Sequence, residues 1–426
     1  MLIAGGRIVD PSQPLDALRD LRLAHGVVVE IGEHLQPLDG ETVVDARGMV
    51  VAPGFIDMHV HLREPGYTHK ETIATGTLAA RRGGFTAVAC MPNTNPALDD
   101  PTVLAALAEI VARDARCRVY PVGAITRGRK GVQPVEFSAL ARAGAVAFSD
   151  DGNTVMNARV LRDAAIDALA VEGVFISHAE DEHLKGNAVM HEGAVSRALG
   201  LPGSPALAED VIVARDLLIG IETGKRWHIA HLSTRGALEA VLHARAHGSA
   251  ATCEVTPHHL LLTDEAIRSA GASGKVNPPL RDAQDARALR DAVRDGTIDV
   301  FATDHAPHTA QEKAGDIYQA AVGFTGLEVA VGAYALALPD LPLLRFVDLL
   351  SSAPARVLGV PGGTLRAGSP ADVTIFAERA WRIDPAAFAS KGKATPFAGM
   401  QVPRRVVATI VGGELFTVSD EAPATQ

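Results

Sequence analysis

Residues 49–61 read Met49-Val50-Val51-Ala52-Pro53-Gly54-Phe55-Ile56-Asp57-Met58-His59-Val60-His61, an apolar run that ends in two histidines. Alternate residues of a β-strand point the same way, so His59 and His61 present two imidazoles side by side at the end of a strand. Neutral imidazole is a common protein ligand for zinc and similar ions. A pair of surface histidines is the alternative interpretation of His-x-His alone, and the downstream sequence decides between the two.

The composition limits the classes of partner. The chain has 426 residues, of which 47% are hydrophobic and 21% charged, typical of a soluble globular protein with a large catalytic domain and a smaller one. Its formal net charge of −10 disfavours nucleic acid or an anionic membrane as a partner. Local charge in a pocket can still favour a small anion, so we expect a small-molecule substrate.

The cysteines and apolar stretches indicate the compartment. Cys90, Cys117 and Cys253 are far apart, lack a Cys-x-x-Cys spacing and lie in predicted buried strands. A disulfide framework or a thiolate zinc site is therefore not expected, and a reducing, cytoplasmic compartment fits. The N-terminus lacks a signal-peptide core, and charged residues and prolines interrupt the apolar stretch at 326–344. We expect no membrane span.

The central sequence alternates short β-rich runs with longer amphipathic segments, which predicts repeated βα units and a parallel sheet. Eight strands and six helices are predicted. The strands are 50–56, 86–91, 118–122, 145–148, 174–177, 227–230, 251–255 and 298–302, and the helices are 70–82, 102–113, 158–172, 209–222, 236–247 and 283–293. This order favours a (β/α)₈ TIM-like barrel over residues 51–358. A doubly wound open sheet is the competing architecture.

Both ends of the chain have a different pattern. Residues 1–50 and 359–426 contain short β-like pieces separated by Gly and Asp turns. We predict that they form one small β-sandwich domain composed of both chain ends. The polar residues from Val418 to Gln426 are expected to fray as a tail.

Polar residues follow five of the predicted barrel strands. The carboxyl ends of barrel strands converge on one face, where active sites lie. A single His or Asp at a strand end is more often a satisfied polar residue, a cap or a turn former. Histidines and acidic residues at the same relative position on five strands are far less expected by chance. The five strand ends carry His59 and His61, Asp150 and Asp151, His178, His231, and Asp304.

The four imidazoles divide into two pairs, which predicts a site for two metal ions. His59 and His61 would hold one ion, and His178 and His231 the other. Imidazole and carboxylate ligands suit Zn²⁺, Mn²⁺ or Co²⁺, and we expect two zinc ions per subunit.

Two neighbouring dications repel each other, so a shared carboxylate is expected between them. Asp151 is the candidate and Asp150 the alternative, because only one of two adjacent strand residues can point inward. Asp304 is expected beside the metals, both as a metal ligand and as the general acid/base of the reaction.

At these residues the chain resembles the amidohydrolase superfamily and, within it, the bacterial type I dihydroorotases. The resemblance covers nearly the whole chain. The matching pieces are Pro53 to Gly66, Met91-Pro92-Asn93-Thr94-Asn95-Pro96, Phe148-Ser149-Asp150-Asp151-Gly152 and Ala302-Thr303-Asp304-His305-Ala306-Pro307-His308.

The resemblance implies a composite β domain and the interconversion of L-dihydroorotate and N-carbamoyl-L-aspartate in pyrimidine (UMP) synthesis. It also implies a set of substrate contacts at His61, Arg63, Asn93, Asn277 and His308. Arg63 lies two residues beyond His61, and a guanidinium suits a bidentate grip on a carboxylate. For Asn93 and Asn277 alone, turn formation before Thr or Pro is the alternative interpretation.

The absence of a lysine at the end of predicted strand four argues against the related hydantoinases and allantoinases. Hydantoinases and allantoinases bridge their metals with a carboxylated lysine at the end of strand four, whereas Phe148-Ser149-Asp150-Asp151-Gly152 contains no lysine. The nearest, Lys130, lies in the predicted loop after strand three. The alternatives are another cyclic amide hydrolase, such as a dihydropyrimidinase or allantoinase, and a dihydroorotase-like subunit that scaffolds aspartate carbamoyltransferase. A homodimer and a complex with aspartate carbamoyltransferase are the partners expected.

Overall fold

The computed structural model describes residues 1–418, so the predicted tail after Val418 lies outside the described residues. Twenty β-strands occur in the described part of the chain. In chain order they are β1 (Leu2–Asp10), β2 (Leu15–Ala24), β3 (Val27–Gly32), β4 (Val43–Asp45), β5 (Val50–Pro53), β6 (Phe55–Val60), β7 (Phe85–Cys90), β8 (Arg118–Gly123), β9 (Ala147–Phe148), β10 (Val174–Ser177), β11 (Met190–His191), β12 (Gly203–Ser204), β13 (Trp227–Ile229), β14 (Thr252–Val255), β15 (Val300–Phe301), β16 (Val373–Ala377), β17 (Trp381–Arg382), β18 (Gln401–Val402), β19 (Arg405–Val411) and β20 (Glu414–Thr417).

Fifteen α-helices lie between these strands, within the same residues. In chain order they are α1 (Ile73–Arg82), α2 (Pro101–Asp114), α3 (Phe137–Arg142), α4 (Ala158–Asp167), α5 (Glu182–Lys185), α6 (Ala194–Leu199), α7 (Leu207–Thr223), α8 (Arg235–Ala246), α9 (Pro257–Leu261), α10 (Ile267–Ala270), α11 (Ala283–Arg294), α12 (Ala310–Lys313), α13 (Ala330–Ala337), α14 (Leu343–Leu350) and α15 (Ser352–Leu358). Capping side chains fix where some of these helices begin. Asp100 accepts a hydrogen bond from Thr102 N at the start of α2, and Thr234 caps the start of α8. None of the helices in residues 1–418 has the length and apolar character that a membrane crossing requires.

Eight parallel strands form the predicted barrel. Their order in the sheet is β6, β7, β8, β9, β10, β13, β14 and β15. The first and last strands meet where Val60 bridges His305, and His61 N donates to His305 O over 2.8 Å. The Asp57 carboxylate reinforces this seam, since it accepts hydrogen bonds from Thr303 N (3.2 Å) and Thr303 Oγ1 (2.5 Å). The barrel prediction is confirmed, and the open doubly wound sheet is excluded.

The predicted first strand, 50–56, is wrong in one respect, because it is two strands in two different sheets. β5 pairs with β1 and β16 in the end domain, whereas β6 pairs with β7 in the barrel. Gly54 separates them, and its N–H donates to Asp372 O over 2.9 Å. A Cβ at Gly54 would overlap the Thr86 side chain on β7, so only glycine lets the chain cross between sheets there.

The two chain ends form one eight-stranded sheet, which confirms a β domain composed of both ends. The order is β20, β19, β16, β5, β1, β2, β3, with β4 beside β1. Its buried apolar face includes Ile8, Val51, Ile375 and Ile410. Thr374 joins this sheet to the barrel, because its hydroxyl accepts from Phe55 N (3.1 Å) and donates to Gly84 O (2.6 Å).

Candidate metal centre

The carboxyl ends of the barrel strands bring the predicted polar residues to one cavity of about 280 Å³. The predicted metal ligands lie at or just beyond a strand end, whereas Asn277 and His308 lie in longer loops on the same face of the barrel. Every predicted site residue except His59 lines the cavity, and His59 is fully buried beneath it (0% exposed). The predicted site residues on the cavity wall are His61, Arg63, Asn93, Asp151, His178, His231, Asn277, Asp304 and His308.

Two groups of ligand atoms are close enough to hold a metal ion each. In the first, His59 Nε2 lies 3.2 Å from Asp151 Oδ1, and His61 Nε2 lies 3.5 Å from Asp151 Oδ2. In the second, His178 Nδ1 and His231 Nε2 lie 3.5 and 3.8 Å from Asp151 Oδ1. Asp151 belongs to both groups, so its carboxylate stands between the two pairs of imidazoles.

Asp150 points away from the imidazoles. Its carboxylate accepts hydrogen bonds from Ile125 N (2.9 Å), Thr126 N (3.0 Å) and the Thr126 hydroxyl. It therefore anchors the loop after β8, while Asp151 faces the cavity. This alternation is the one that a continuing strand imposes on adjacent residues.

The chemistry of the donor set fits divalent cations. His59 Nε2 and Asp151 Oδ1 are buried without a hydrogen-bond partner, a costly state that a bound cation would relieve. Four imidazoles and a carboxylate, with no thiolate, match the preferences of zinc, manganese or cobalt. A third group, His191 with Asp282 and Asp285, has similar spacing, but Asp282 caps α11 and Arg281 Nη1 lies 3.4 Å from His191 Nδ1.

Three side chains behind the imidazoles fix their orientation. His59 Nδ1 lies 2.7 Å from Glu254 Oε1, His61 Nδ1 lies 2.8 Å from Asn93 Oδ1, and His178 Nε2 lies 3.1 Å from Glu180 Oε2. A proton on each of these nitrogens leaves the other ring nitrogen free to bind a cation.

Two of these supporting residues, Glu254 and Glu180, were not predicted from the sequence. Glu254 also accepts a hydrogen bond from the backbone N–H of His231 over 3.2 Å, so one carboxylate holds the His59 ring and the backbone of His231. A charged residue inside the apolar strand β14 is the signal that could have identified it. Glu180 stands two residues after His178, and Lys185 Nζ donates to it over 2.6 Å.

The cluster favours positive charge. Burial lowers the pKa of His59, but Asp151 and Glu254 outweigh it, so the pKa lies well above the usual value. For His178 burial is likewise outweighed, by Asp151 and Glu180, and the pKa rises to about 9. The pKa of Asp151 lies well below its ordinary range, since the surrounding imidazoles outweigh the effect of burial. Protons or metal ions can supply that charge.

Asp304 sits at the edge of the cluster. Its Oδ1 lies 3.0 Å from His61 Nε2 and 3.6 Å from His59 Nε2. Its backbone φ is 49°, in the left-handed region that non-glycine residues rarely adopt, and His231 shares this feature with a φ of 34°. Strained conformations of this kind concentrate at functional sites.

Another part of the cavity wall carries a buried cation. Arg63 donates through Nε to Pro307 O (3.3 Å), and its Nη2 lies 3.3 Å from His308 Nε2. Within residues 1–418 no carboxylate forms an ion pair with Arg63. Burial lowers its pKa to about 10, although Asp304 opposes the shift. An anion in the cavity would complete its pairing.

His308 and Asn277 complete this wall. Burial and the neighbouring Arg63 lower the pKa of His308 to about 3, so the ring is neutral near pH 7. The Asn277 oxygen accepts from Lys185 Nζ, and its NH₂ donates to Val276 O over 3.0 Å. Among residues 1–418 no lysine lines the cavity, and Lys130, in the loop after β8, lines a separate surface pocket.

Comparisons with known proteins agree with this geometry. A family described as "Dihydro-orotase-like" matches residues 48–237, and one described as "Amidohydrolase family" matches residues 265–416. A dihydroorotase from Pelotomaculum thermopropionicum is 50% identical over 97% of this chain and 98% of its own length. One from Anaeromyxobacter dehalogenans is 46% identical over 99% of both chains.

Solved structures share the fold at lower identity. An L-hydantoinase from Arthrobacter aurescens superimposes with a TM-score of 0.88 at 24% identity, over 100% of this chain and 97% of its own. A dihydropyrimidinase from Brevibacillus agri gives a TM-score of 0.85 at 23% identity, over 100% and 96%. At this identity the likeness concerns the fold alone.

Proposed function

This chain belongs to the dihydro-orotase-like family of amidohydrolases, and from that premise we propose that it interconverts L-dihydroorotate and N-carbamoyl-L-aspartate. The reaction opens or closes a cyclic amide in pyrimidine synthesis. Dihydroorotases 44–50% identical over nearly the whole chain support it. The observation that carries the substrate assignment is the buried Arg63, which has no carboxylate partner among the described residues and lines the same cavity as the imidazole cluster.

We assign two divalent cations, zinc in the first instance, to the two groups of ligand atoms. His59 and His61 would hold one ion, His178 and His231 the other, and Asp151 both, with Asp304 beside them. Bound there, the cations would lower the pKa of a water molecule and polarise the substrate carbonyl. Asp151 Oδ1 and His59 Nε2, both buried without a hydrogen-bond partner, support this assignment.

The substrate contacts follow from the part of the wall around Arg63. Arg63 would grip the α-carboxylate through its guanidinium, and His308, whose Nε2–H donates to Val322 O over 2.8 Å, would contact the carboxylate beside Arg63. Asn93 would also contact the α-carboxylate, Asn277 would hold the ring amide, and His61 would contact the substrate from the cluster. This arrangement requires a charged substrate, because a neutral ring would leave Arg63 buried without a partner.

Asp304 would move the proton in either direction. In hydrolysis, water adds to the ring carbonyl, the ring C–N bond breaks, and Asp304 carries the proton from the water to the departing nitrogen. Its Oδ1, 3.0 Å from His61 Nε2, lies at the boundary between the cluster and the cavity. Ring closure uses the same groups in reverse.

The remaining partners are also proposals. The three buried, unpaired cysteines support a reducing, cytoplasmic location. We propose a homodimer, and sedimentation of the purified chain alone and with aspartate carbamoyltransferase tests both assemblies. A purely scaffolding role is disfavoured, since the chain keeps a full set of imidazole and carboxylate groups in one cavity.

A substrate panel tests the function. The purified chain, assayed with L-dihydroorotate, dihydrouracil, hydantoin and allantoin, should open the ring of L-dihydroorotate at least a hundredfold faster than the neutral rings, by analogy with sites built to pair a substrate group. Faster hydrolysis of dihydrouracil or allantoin would contradict the proposal.

A further inference from the structure

Residues 388–395, here called the crossing segment, leave the C-terminal part of the chain and lie against the loops of the barrel. Glu328 holds one end, since its Oε1 accepts hydrogen bonds from Ala389 N (2.7 Å) and Ser390 N (3.2 Å). Glu328 lies just before α13, so this contact ties the crossing segment to a barrel helix.

A second carboxylate holds the same stretch. Glu71, just before α1, accepts from the Ser390 hydroxyl and from Lys391 N (3.3 Å). Glu71 Oε2 also lies 3.5 Å from His305 Nε2, and His305 directly follows Asp304. Ser390 and Glu71 are both fully buried (0% exposed), so the contact is an internal one.

The far end of the crossing segment contacts the loop after β15. The Thr325 hydroxyl donates to Gly392 O over 3.0 Å, and Thr325 N donates to Ala394 O over 2.9 Å. A Cβ on Gly392 would lie 2.8 Å from Pro307 Cβ and 3.1 Å from His308 N. Because real Cβ contacts are longer than this, only glycine allows the observed approach.

Pro307 and His308 are the two residues that orient Arg63. Pro307 O accepts from Arg63 Nε, and His308 Nε2 lies against Arg63 Nη2, both at 3.3 Å. The crossing segment therefore supports, from behind, the part of the loop that faces the predicted carboxylate contact. A displacement of Gly392 would move Pro307 and His308, which contact the Arg63 guanidinium directly.

We propose that Gly392 is a positioning residue that sets the affinity for the substrate carboxylate, by holding Pro307 and His308 where they orient Arg63. This inference rests on the proposed function of Arg63. It assigns a part in substrate selection to a segment of the C-terminal region that carries none of the reacting groups.

The test is Gly392→Ala in the full chain. The variant should raise KM for L-dihydroorotate roughly tenfold, because small misplacements of binding groups are costly, while kcat at saturation stays within about twofold. Bound metal should be unchanged. The matched control is Gly332→Ala, whose added Cβ would lie 2.5 Å from Val402 Cγ2 at a contact between α13 and β18. The control should lower thermal stability and leave KM unaltered.

Ser390→Ala provides a second variant that adds no atoms. It removes one hydrogen bond to Glu71, and we expect a smaller rise in KM, about twofold to fourfold. This variant decides the question if Gly392→Ala does not fold. An unchanged KM in the folded variants, or a fall in kcat at unchanged KM, would overturn the inference.

Arg63→Met separates the two possible failures. If Arg63→Met leaves KM for L-dihydroorotate unchanged, the proposed contact with the carboxylate is wrong. If it raises KM while Gly392→Ala and Ser390→Ala do not, the contact stands and the positioning role of the crossing segment fails.

Discussion

The two walls of the cavity are built in different ways. The imidazole side (His59, His61, His178 and His231) comes from the ends of barrel strands, and carboxylates or an amide hold three of its rings. The arginine side (Arg63, Asn277 and His308) comes from loops, and backbone carbonyls and a remote segment support it. Strand ends fix positions closely, whereas loops adapt. The contrast indicates that the barrel determines the chemistry and the loops determine which substrate is accepted.

The largest effect is expected where the two sides meet. Asp304→Asn should reduce kcat by about 10²–10⁴, because the proton carrier is lost while the cluster keeps its shape. Metal content measured by elemental analysis should remain as in the unsubstituted chain. A variant that turns over near the original rate would remove Asp304 from proton transfer.

The next effect isolates the arginine side. Arg63→Met should raise the activation free energy for L-dihydroorotate by about 2–5 kcal/mol, measured as kcat/KM, since a buried charge loses its partner. The loss should be far smaller on a neutral dihydropyrimidine. Equal losses on both substrates would mean that Arg63 does not distinguish the carboxylate, and the contrast between the two sides would weaken.

A milder change tests the support of the imidazole side. Glu254→Gln keeps the shape but weakens the acceptor for His59 Nδ1, so metal affinity should fall about 10–100-fold. Competition with a chromogenic chelator measures it. Glu328→Gln is the matched control, because Glu328 is also a buried carboxylate but contacts the crossing segment instead. Equal metal affinity in the Glu254→Gln and unsubstituted chains would show that Glu254 does not tune the cluster.

The last effect concerns the pH dependence of stability on the arginine side and involves no change in the reaction itself. Lys313 Nζ donates to Ala321 O (2.8 Å) and Gly323 O (2.9 Å), next to the cavity wall, and burial lowers its pKa to about 8. Because the unfolded chain, with a lysine pKa of about 10.4, binds more protons between about pH 8 and 10.4, stability should rise with pH there. The rise attributable to Lys313 is at most about 3 kcal/mol.

Chemical unfolding of the original chain and of Lys313→Met across that range measures this term. The difference in free energy of unfolding between the two proteins should increase with pH from about 8 to about 10. A difference that stays constant over the range would exclude a shifted pKa at Lys313.

The sequence predicted the imidazole side better than the arginine side. A polar residue at the end of an apolar strand is a periodic signal, and parallel barrel strands place such residues together. The structure was needed to decide between Asp150 and Asp151, because adjacent strand residues point to opposite faces and a shift of one residue in register exchanges them. Arg63, Asn277 and His308 lie in loops, where no period marks a functional side chain, so only the family resemblance indicated them.

Three features of the fold could not be predicted from the sequence, each for a physical reason. α13 is apolar all round and buried except at Leu336, so it lacks the amphipathic pattern that marks a surface helix. Gly54 divides a continuous apolar run between two sheets; Pro53-Gly54 marks a break, but nothing in the run shows that its two halves pair in different sheets. The crossing segment has no regular secondary structure, and its contacts with Glu71 and Glu328 span more than 60 residues of sequence.

Metal content tests the central claim most directly. Elemental analysis of the purified chain should give about two equivalents of a divalent cation, zinc or a close substitute, with turnover of L-dihydroorotate that a chelator removes and added metal restores. Asp151→Ala should lose most of the bound metal and the activity together. Full activity in chelator-treated protein, or unchanged metal content in Asp151→Ala, would contradict the account of a carboxylate shared between two cations.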